Sequence, residues 1–383
     1  MKKMRVLHII KTLDLGGAET NLLNLAEALD STRVETFVAY SSGGALEERF
    51  KKAGVKLFKF SEKDHKIKSF ATFGIIRKLS RFIHQEKIDI VHTHTFSAHI
   101  WGGLAAKLSG VRLLEHVHDF RYFEPEEFIR RRGMNKQFKF VHYLKNFSDR
   151  VVVLTQKNIE FIAQHHLYLP ARVRELHNGI FLPKQCAKDA AMAEAWREKL
   201  GIAPGSFVIL TVARLSPEKN VDLIVRIAPQ VIAENSQAVF VIAGDGPLLS
   251  FFQDQVQDKG LSRNIRFVGF VDDVRGLLNL ADVFLLPSFM ELHSIAVLEA
   301  MSVGAAIVIS RDVGCHNEFI TDRQNGVLLD PFSDEGWASA LIWLMRDPQA
   351  RKDMGRSAFK TCQERFDIHG TARRFEEIYA ELA

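Results

Sequence analysis

Residues 283–309 read VFLLPSFMELHSIAVLEAMSVGAAIVI. The runs 283–286 and 305–309 are short, apolar and rich in β-branched side chains, which is typical of buried strands. Between them the apolar residues follow helical spacing from about residue 294 onward. A strand, a helix and a second strand in this order predict a parallel βαβ unit, whose ligand crevice lies at the carboxyl ends of the strands.

Two glutamates lie in this unit, eight positions apart. Glu299 falls inside the predicted helix, and Glu291 falls in the loop before it. The helix would begin with unpaired backbone N–H groups, which favour an anion, at His293, Ser294 and Ile295. Carboxylates that bind hydroxyls, next to amides that bind phosphate, suit a sugar nucleotide. Two glutamates at this spacing are also common on surface helices, so an ordinary surface helix without a ligand is the alternative interpretation.

The same alternation continues along the whole chain. Further strand-like runs are separated in many places by helical patterns, at 6–10, 34–40, 88–92, 111–116, 150–154, 207–213, 238–243 and 265–267. This predicts an α/β protein with parallel sheets. The first half closes with a further strand, which ends in Leu176-His177-Asn178-Gly179-Ile180. The turn-rich stretch at 180–205 predicts a boundary between an N-terminal domain at 1–180 and a C-terminal domain at 200–365. Residues 366–383 contain a further helical pattern.

Composition excludes several classes of protein. The chain has 383 residues, 47% of them hydrophobic and 25% charged, with a net charge of +5, which is typical of a globular protein with two domains. No apolar run reaches the length of a membrane span. Three scattered cysteines give neither a disulfide framework nor a metal site, which fits a reducing cytoplasm. No known nucleic-acid-binding motif is present, so nucleic acid is not an expected partner.

Two cations follow the strand at 207–213. Arg214 and Lys219 lie in the loop that leads into the next helix, where the Arg fork and the Lys point charge could face one diphosphate. The alternative is an ordinary surface loop, since many such loops contain an Arg and a Lys without binding a ligand.

Glycines and histidines follow other strands. Gly16 and Gly17 begin a helix, where backbone can come close to a ligand, although a tight turn would explain them equally. His118 follows the strand at 111–116 and could be either structural or ligand-binding. His92 and His94 end the preceding strand and are interpreted as mainly architectural, without a carboxylate spacing that favours zinc.

Gly244 and Phe270 lie in turns at two further strand ends. Turn chemistry alone explains both, and bordering a nucleotide is the functional alternative. The segment that begins at Phe128 and ends at Phe147 holds six basic residues, no acid and interleaved aromatic residues. This composition suits an anionic membrane surface. An amphipathic helix with a solvated basic face is the alternative.

These motifs, in this order, resemble family 4 of the retaining glycosyltransferases, which have the GT-B fold. The likeness covers nearly the whole chain. It rests on Glu291 and Glu299 with the helix start, on the arginine-leucine-x-x-x-lysine motif of Arg214 and Lys219, on the Gly16-Gly17-Ala18-Glu19 loop, and on His118. The resemblance implies two Rossmann-like domains facing across a cleft, an acceptor-binding one at 1–180 and a nucleotide-sugar-binding one at 200–365. It also implies that the final helix, at 366–383, packs back on the first domain.

The resemblance also implies the chemistry. A sugar would pass with retention from a UDP-sugar or GDP-sugar to a glycan or lipid-linked acceptor, in cell-surface polysaccharide or lipopolysaccharide assembly. Arg214 and Lys219 would hold the diphosphate, Glu291 and His118 the donor sugar, and Glu299 the ribose. No D-x-D pattern is present, so no metal or other cofactor is expected. The protein would be cytoplasmic, with a peripheral position on the inner face of the plasma membrane as an option.

The chain departs from the family pattern at two places. Asn220 replaces the usual glycine after the lysine and would cap the next helix. Where many relatives have glycine-phenylalanine-glycine, this chain has Leu292, His293 and Ser294. Their side chains are expected to narrow the edge of the phosphate-binding site. A sugar-nucleotide epimerase or hydrolase of the same fold is an alternative, and a non-catalytic sugar-nucleotide-binding scaffold is another. A scaffold would be free to lose the motif residues. All five are present, which favours the transferase: Arg214, Lys219, Glu291, Glu299 and His118.

Overall fold

The computed structural model describes residues 3–14, 16–61, 71–118, 147–186 and 188–383. The chain forms two compact units. The first contains Met1–Phe181 and Ile368–Ala383, and the second contains Leu182–Asp367. The second unit begins earlier than residue 200 because the Lys188 ammonium donates to the Ala281 carbonyl and the Asp189 amide donates to Asn279 Oδ1 at 2.8 Å. These contacts attach the segment before residue 200 to the second unit.

The first unit is built on a parallel sheet of seven strands in the order β3-β2-β1-β4-β5-β6-β7. The strands are β1 (Met4–Ile9), β2 (Val34–Tyr40), β3 (Lys56–Lys59), β4 (Ile90–Thr93), β5 (Arg112–His116), β6 (Arg150–Val153) and β7 (Val173–Glu175). The strand order reverses direction between β1 and β4, so the crevice at their carboxyl ends is the expected ligand position in this sheet.

Helices cover the sheet of the first unit. The described ones are α1 (Gly17–Ala28), α2 (Glu47–Lys52), α3 (Ala71–Gln85), α4 (Phe96–Ser109), α5 (Gln156–Gln164) and, from the end of the chain, α14 (Ile368–Leu382). The last of these buries Phe375 and Tyr379 against Val6 and Leu114. Its Glu376 also pairs with Arg33 at 2.9 Å. The final helix is therefore part of the first unit's core.

The second unit is built on a parallel sheet of six strands in the order β10-β9-β8-β11-β12-β13. The strands are β8 (Val208–Val212), β9 (Val239–Ala243), β10 (Ile265–Gly269), β11 (Val283–Leu286), β12 (Ala306–Ser310) and β13 (Val327–Leu329). Four of them, β8, β9, β11 and β12, are buried over nearly their whole length. That burial explains why they read as continuous apolar runs.

The helices of the second unit are α6 (Ala190–Leu200), α7 (Val221–Glu234), α8 (Leu249–Asp258), α9 (Val274–Leu278), α10 (Ile295–Ser302), α11 (His316–Phe319), α12 (Trp337–Arg346) and α13 (Pro348–Arg365). A short 3₁₀ turn at Pro217–Lys219 precedes α7. The core between helices and sheet centres on fully buried residues such as Trp337, Leu341, Phe240 and Leu223.

The predicted α/β class with parallel sheets is confirmed, and the βαβ unit at 283–309 is present as β11, α10 and β12. Two strands were missed. The edge strand β3 has the sequence KLFK, with two exposed lysines, and β13 has only three residues. Neither gives a clear apolar run. Within the described parts of the chain, no helix has the length and apolar character to cross a bilayer. Residues 128–146, which carry most of the predicted membrane-surface segment, lie outside the described residues.

Candidate functional site

The loops after β8 and β11 meet at the carboxyl edge of the second sheet. These strands are neighbours and lie at the point where the strand order reverses, so both loops border the same crevice. The Phe289 amide donates to the Glu218 carbonyl at 2.8 Å, which ties the second loop to the first. A ligand bound at this edge would contact both loops at once.

A lysine and a glutamate form the charged centre of this edge. Lys219 Nζ lies 2.6 Å from Glu291 Oε1, and the Ser288 hydroxyl donates to the same oxygen at 2.9 Å. The Lys219 side chain is 20% exposed and that of Glu291 is 9% exposed, so the pair is partly shielded from water and still reachable. The structure therefore brings together two residues that the sequence places 72 positions apart.

Asn220 holds the loops around this pair. Its backbone has φ +50° and ψ +37°, the left-handed conformation that glycine and asparagine adopt most readily. Its side-chain amide is buried and donates to the carbonyls of Pro287 and Pro331, both at 3.1 Å. Asn220 occupies the N-cap position of α7, as predicted, but its side chain makes no capping bond to that helix. Asparagine instead connects three loops, which glycine could not do.

Arg214 and Gly244 lie on two adjoining loops. Arg214 is exposed in the loop after β8. Gly244, after β9, has φ +134°, and a Cβ at this position would lie 1.9 Å from the Ala213 carbonyl oxygen. The Leu215 amide donates to the Asp245 carbonyl at 2.9 Å, next to this contact. Gly244 therefore sets how closely the β9 loop can approach the loop that carries Arg214.

Helix α10 begins beside Glu291. Ser294 precedes the helix and makes no side-chain cap bond, so the first-turn amides starting at Ile295 are available to an anion. Leu292 and His293 are buried, and the His293 ring packs 5.1 Å from Phe366. Both side chains are buried among other side chains, so they add little exposed surface at the helix start, and their effect on the width of the phosphate site stays a prediction.

The remaining predicted residues of this unit occupy different surroundings. Glu299 lies in the second turn of α10 and is half-buried. Phe270 is 51% exposed beyond the end of β10, and with Trp196 and Lys199 it borders an open cavity of about 540 Å³. Sequence reasoning missed an aromatic pair. Phe289 and Phe332 stack at 5.1 Å after β11 and β13, and Phe332 is exposed.

In the first unit, the glycine loop begins α1. Gly17 has open space where a Cβ would stand, whereas a Cβ on Gly16 would lie 2.3 Å from Glu19 Oε2. Burial, with a smaller contribution from nearby Asp14, raises the pKa of Glu19 to about 7. Gly17 therefore leaves room for a close approach to backbone, and Gly16 makes room for the Glu19 carboxyl group.

His118 lies at the end of a connected group of imidazoles. Its Nε2 is 3.2 Å from His94 Nδ1, and His94 Nε2 is 2.9 Å from His8 Nδ1. His92 Nδ1 contacts the Tyr379 hydroxyl at 2.8 Å. His8, on β1, gave no signal in the sequence, because only the pairing of β1 with β4 brings it next to His92.

Burial keeps these imidazoles neutral. Desolvation lowers the pKa of His8 and of His118 to about 3, and it lowers the pKa values of His92, His94 and His116 well below the usual range. His118 remains partly accessible, unlike the other four. At neutral pH this group can therefore offer uncharged nitrogen atoms at an opening in the first unit.

Comparison with known proteins assigns both halves of the chain. Residues 15–182 match the family model described as Glycosyltransferase Family 4, and residues 192–361 match the one described as Glycosyl transferases group 1. The chain belongs to glycosyltransferase family 4. The two matched ranges correspond closely to the two compact units of this family 4 member.

Similar proteins cover this family 4 member from end to end. The UDP-Gal:alpha-D-GlcNAc-diphosphoundecaprenol alpha-1,3-galactosyltransferase of Escherichia coli is 25% identical over 385 residues, covering 99% of this chain and 97% of that enzyme. The GalNAc-alpha-(1->4)-GalNAc-alpha-(1->3)-diNAcBac-PP-undecaprenol alpha-1,4-N-acetyl-D-galactosaminyltransferase of Campylobacter jejuni is 25% identical over 391 residues, covering 99% of each chain.

Solved structures agree on the fold. Anabaena Alr3699/HepE, crystallised with UDP and glucose, superposes with a TM-score of 0.86 at 21% identity, covering 99% of this chain and 100% of that one. WaaG, a glycosyltransferase involved in lipopolysaccharide biosynthesis, gives a TM-score of 0.75 at 17% identity, covering 98% and 99%. The family 4 member therefore has the GT-B fold with two Rossmann-like units.

Proposed function

We propose that the protein is a retaining, metal-independent glycosyltransferase that uses a nucleoside-diphosphate sugar. The observation that carries this proposal is the Lys219–Glu291 pair at 2.6 Å, placed beside the uncapped start of α10. The site offers a cation and free amides to a diphosphate and a carboxylate to sugar hydroxyls. These are the groups that a nucleotide sugar requires.

The chemical problem is the departure of a nucleoside diphosphate from the sugar's reacting carbon. Negative charge grows on the leaving phosphate, and Arg214, Lys219 and the Ile295 amide would stabilise it. Preorganised donors of this kind contribute about 3–4 kcal/mol each to the transition state. Before the donor binds, Ser288 holds Glu291 and Glu291 holds Lys219, so little reorganisation would be needed when the phosphate arrives.

The other predicted residues have proposed roles around this centre. Glu291 would bind donor-sugar hydroxyls and Glu299 the ribose hydroxyls. His118, which is neutral at physiological pH, would bind the sugar near its reacting carbon. Gly16, Gly17 and Phe270 would border the donor, and Gly244 would position the loop of Arg214. In a retaining reaction of this type, the leaving phosphate would accept the acceptor's proton on the same face.

We propose UDP-sugar or GDP-sugar as the donor and a glycan or lipid-linked acceptor. The E. coli and C. jejuni relatives carry undecaprenol diphosphate acceptors in their names, and one of the similar structures was solved with UDP-glucose. These likenesses favour UDP and a polyprenyl-diphosphate-linked glycan as the first substrates to try. A cytoplasmic site, next to the membrane that holds such acceptors, belongs to the same proposal.

Donor binding and stereochemistry test the proposal separately. Isothermal titration with UDP, GDP, ADP and their common sugars, in EDTA, should identify one nucleotide with micromolar to millimolar affinity. NMR of the product's anomeric proton should then show the donor's configuration retained. An inverted product, or a strict requirement for a divalent metal, would contradict the proposed mechanism while leaving the family assignment intact.

A further inference from the structure

Five histidines crowd the carboxyl ends of β1, β4 and β5 in the first unit, and the proposed reaction uses only one of them. The ring centroids of His116 and His118 are 3.8 Å apart, and those of His92 and His94 are 4.2 Å apart. Imidazole rings packed this closely must place several polar nitrogen atoms away from water. The four histidines other than His118 therefore require an explanation of their own.

His116 is the member that hydrogen bonding does not explain. It is 1% exposed, and neither of its ring nitrogens has a hydrogen-bond partner among the described residues. A neutral imidazole has one N–H donor and one acceptor nitrogen, and burying either of them without a hydrogen-bond partner is destabilising. An apolar side chain of the same size would be more stable here. A ligand that uses one nitrogen would offset part of this cost.

We propose that His94, His116 and His118 form a binding site for a divalent transition metal, with zinc as the expected ion. One ring nitrogen of each residue lies within 4.8 Å of the corresponding atoms of the other two. His94 Nδ1 and His118 Nε2 are 3.2 Å apart. With Zn–N bonds of about 2.0–2.1 Å, neighbouring ligands on a tetrahedral zinc are about 3.3 Å apart.

The surroundings match those of a metal site. Metal-binding histidines usually hold a second group through their other ring nitrogen, and His94 Nε2 contacts His8 Nδ1 at 2.9 Å. The Phe375 ring lies 5.2 Å from His116 and provides an apolar wall. Imidazole nitrogen suits zinc, copper and nickel, and it binds metal in its neutral form. Partial exposure of His118 gives the ion an entry path and leaves the fourth position open to water.

No metal was expected at these residues, because the sequence places no carboxylate at a spacing that favours zinc. The strand pairing of β4 with β5 supplies the proximity that the sequence conceals. One consequence rests on the proposed function. A metal bound to His118 Nε2 would withdraw that atom from the donor sugar, so zinc would inhibit transfer and a chelator would restore it.

Metal binding can be tested without any activity. The full-length protein would be stripped with EDTA and dialysed against micromolar Zn²⁺, and the metal retained per chain would be measured. Cobalt would then replace zinc, and its visible spectrum would report the geometry. We expect one ion per chain and a tetrahedral cobalt spectrum. The His116→Leu variant should bind at least tenfold more weakly, whereas His84→Gln, which changes an exposed histidine of α3, should bind like the wild type.

Thermal unfolding would show whether His116→Leu is folded. If it is not, His94→Gln takes its place, and it too should bind at least tenfold more weakly. A wild-type chain that retains no zinc, or a folded His116→Leu variant that binds zinc as tightly as the wild type, overturns the proposal. If zinc binds at this site but no donor or transfer is ever found, the metal site stands and only the inhibition is lost. If transfer is found and zinc does not bind, the proposed function stands and the metal site is overturned.

Discussion

Replacing Gly244 by alanine should separate the two loops that hold the cations of the second unit. The new Cβ would stand 1.9 Å from the Ala213 carbonyl oxygen, whereas real Cβ contacts stay beyond 3.0 Å. The loops must therefore move apart by about 1 Å. Three backbone hydrogen bonds depend on their present separation: Ala213 N to Ala243 O, Leu215 N to Asp245 O and Leu248 N to Leu215 O.

The expected loss of stability follows from these contacts. Three hydrogen bonds at about 1 kcal/mol each, and a positive φ that costs alanine about 1–2 kcal/mol, give a loss of about 4–5 kcal/mol. Gly260→Ala is a matched control, because Gly260 also has a positive φ, +67°, and its Cβ would meet nothing within 4 Å. That control should lose only the backbone contribution of about 1–2 kcal/mol.

Urea unfolding followed by tryptophan fluorescence measures both variants, since Trp337 is fully buried in the core of the second unit. Gly244→Ala should also weaken donor binding, because Arg214 moves with its loop, whereas Gly260→Ala should bind the donor like the wild type. If the free energies of unfolding of the two variants differ by less than about 1 kcal/mol, the reasoning from loop contact is refuted.

Three further substitutions test other parts of the structure. Asn220→Gly keeps the left-handed backbone and removes two buried hydrogen bonds, so urea unfolding should show a loss of about 1–3 kcal/mol; Asn220→Ala should lose about 1 kcal/mol more, and equal losses would contradict the left-handed conformation. Burial lowers the pKa of His99 to about 3, so its neutral form contributes stability above pH 6.5 that is lost as the pH falls toward 3. Between pH 7.5 and 5.0, the free energy of unfolding should therefore fall by about 2 kcal/mol less in His99→Gln than in the wild type; equal falls in the two proteins would argue against a buried neutral imidazole. Glu291→Gln keeps the size of the side chain and removes the charge that pairs with Lys219, so kcat should fall at least tenfold once a donor is known, and an unchanged kcat would exclude Glu291 from the reaction.

The sequence was enough to predict the fold class because buried parallel strands leave a local signature. The runs at 34–40 and 283–286 coincide with β2 and β11. The edge strand β3 has an exposed lysine at each end and two half-buried residues between them, and its pairing with β2, rather than its own composition, makes it a strand. Local pattern therefore identifies central strands better than edge strands.

The site was predicted less completely, because its geometry depends on contacts between distant segments. Nothing near Asn220 in the sequence indicates that its amide reaches the carbonyls of Pro287 and Pro331. Likewise, His8 joins the other histidines only through the register of β1 on β4. His293 looked like a residue at the ligand surface, and the aromatic rings of Phe319 and Phe366 explain its burial. Motif positions were visible in the sequence, and side-chain directions were not.

The most direct test of the central claim is donor binding by Lys219→Ala in EDTA. A panel of UDP, GDP, ADP and their sugars would be followed by thermal shift, since a ligand that binds the native state raises the unfolding temperature. One nucleotide should stabilise the wild type and Lys352→Ala, which removes an exposed lysine of α13, and should fail to stabilise Lys219→Ala. A shift of equal size in Lys219→Ala, or no shift with any nucleotide at millimolar concentration, would contradict the proposed donor site.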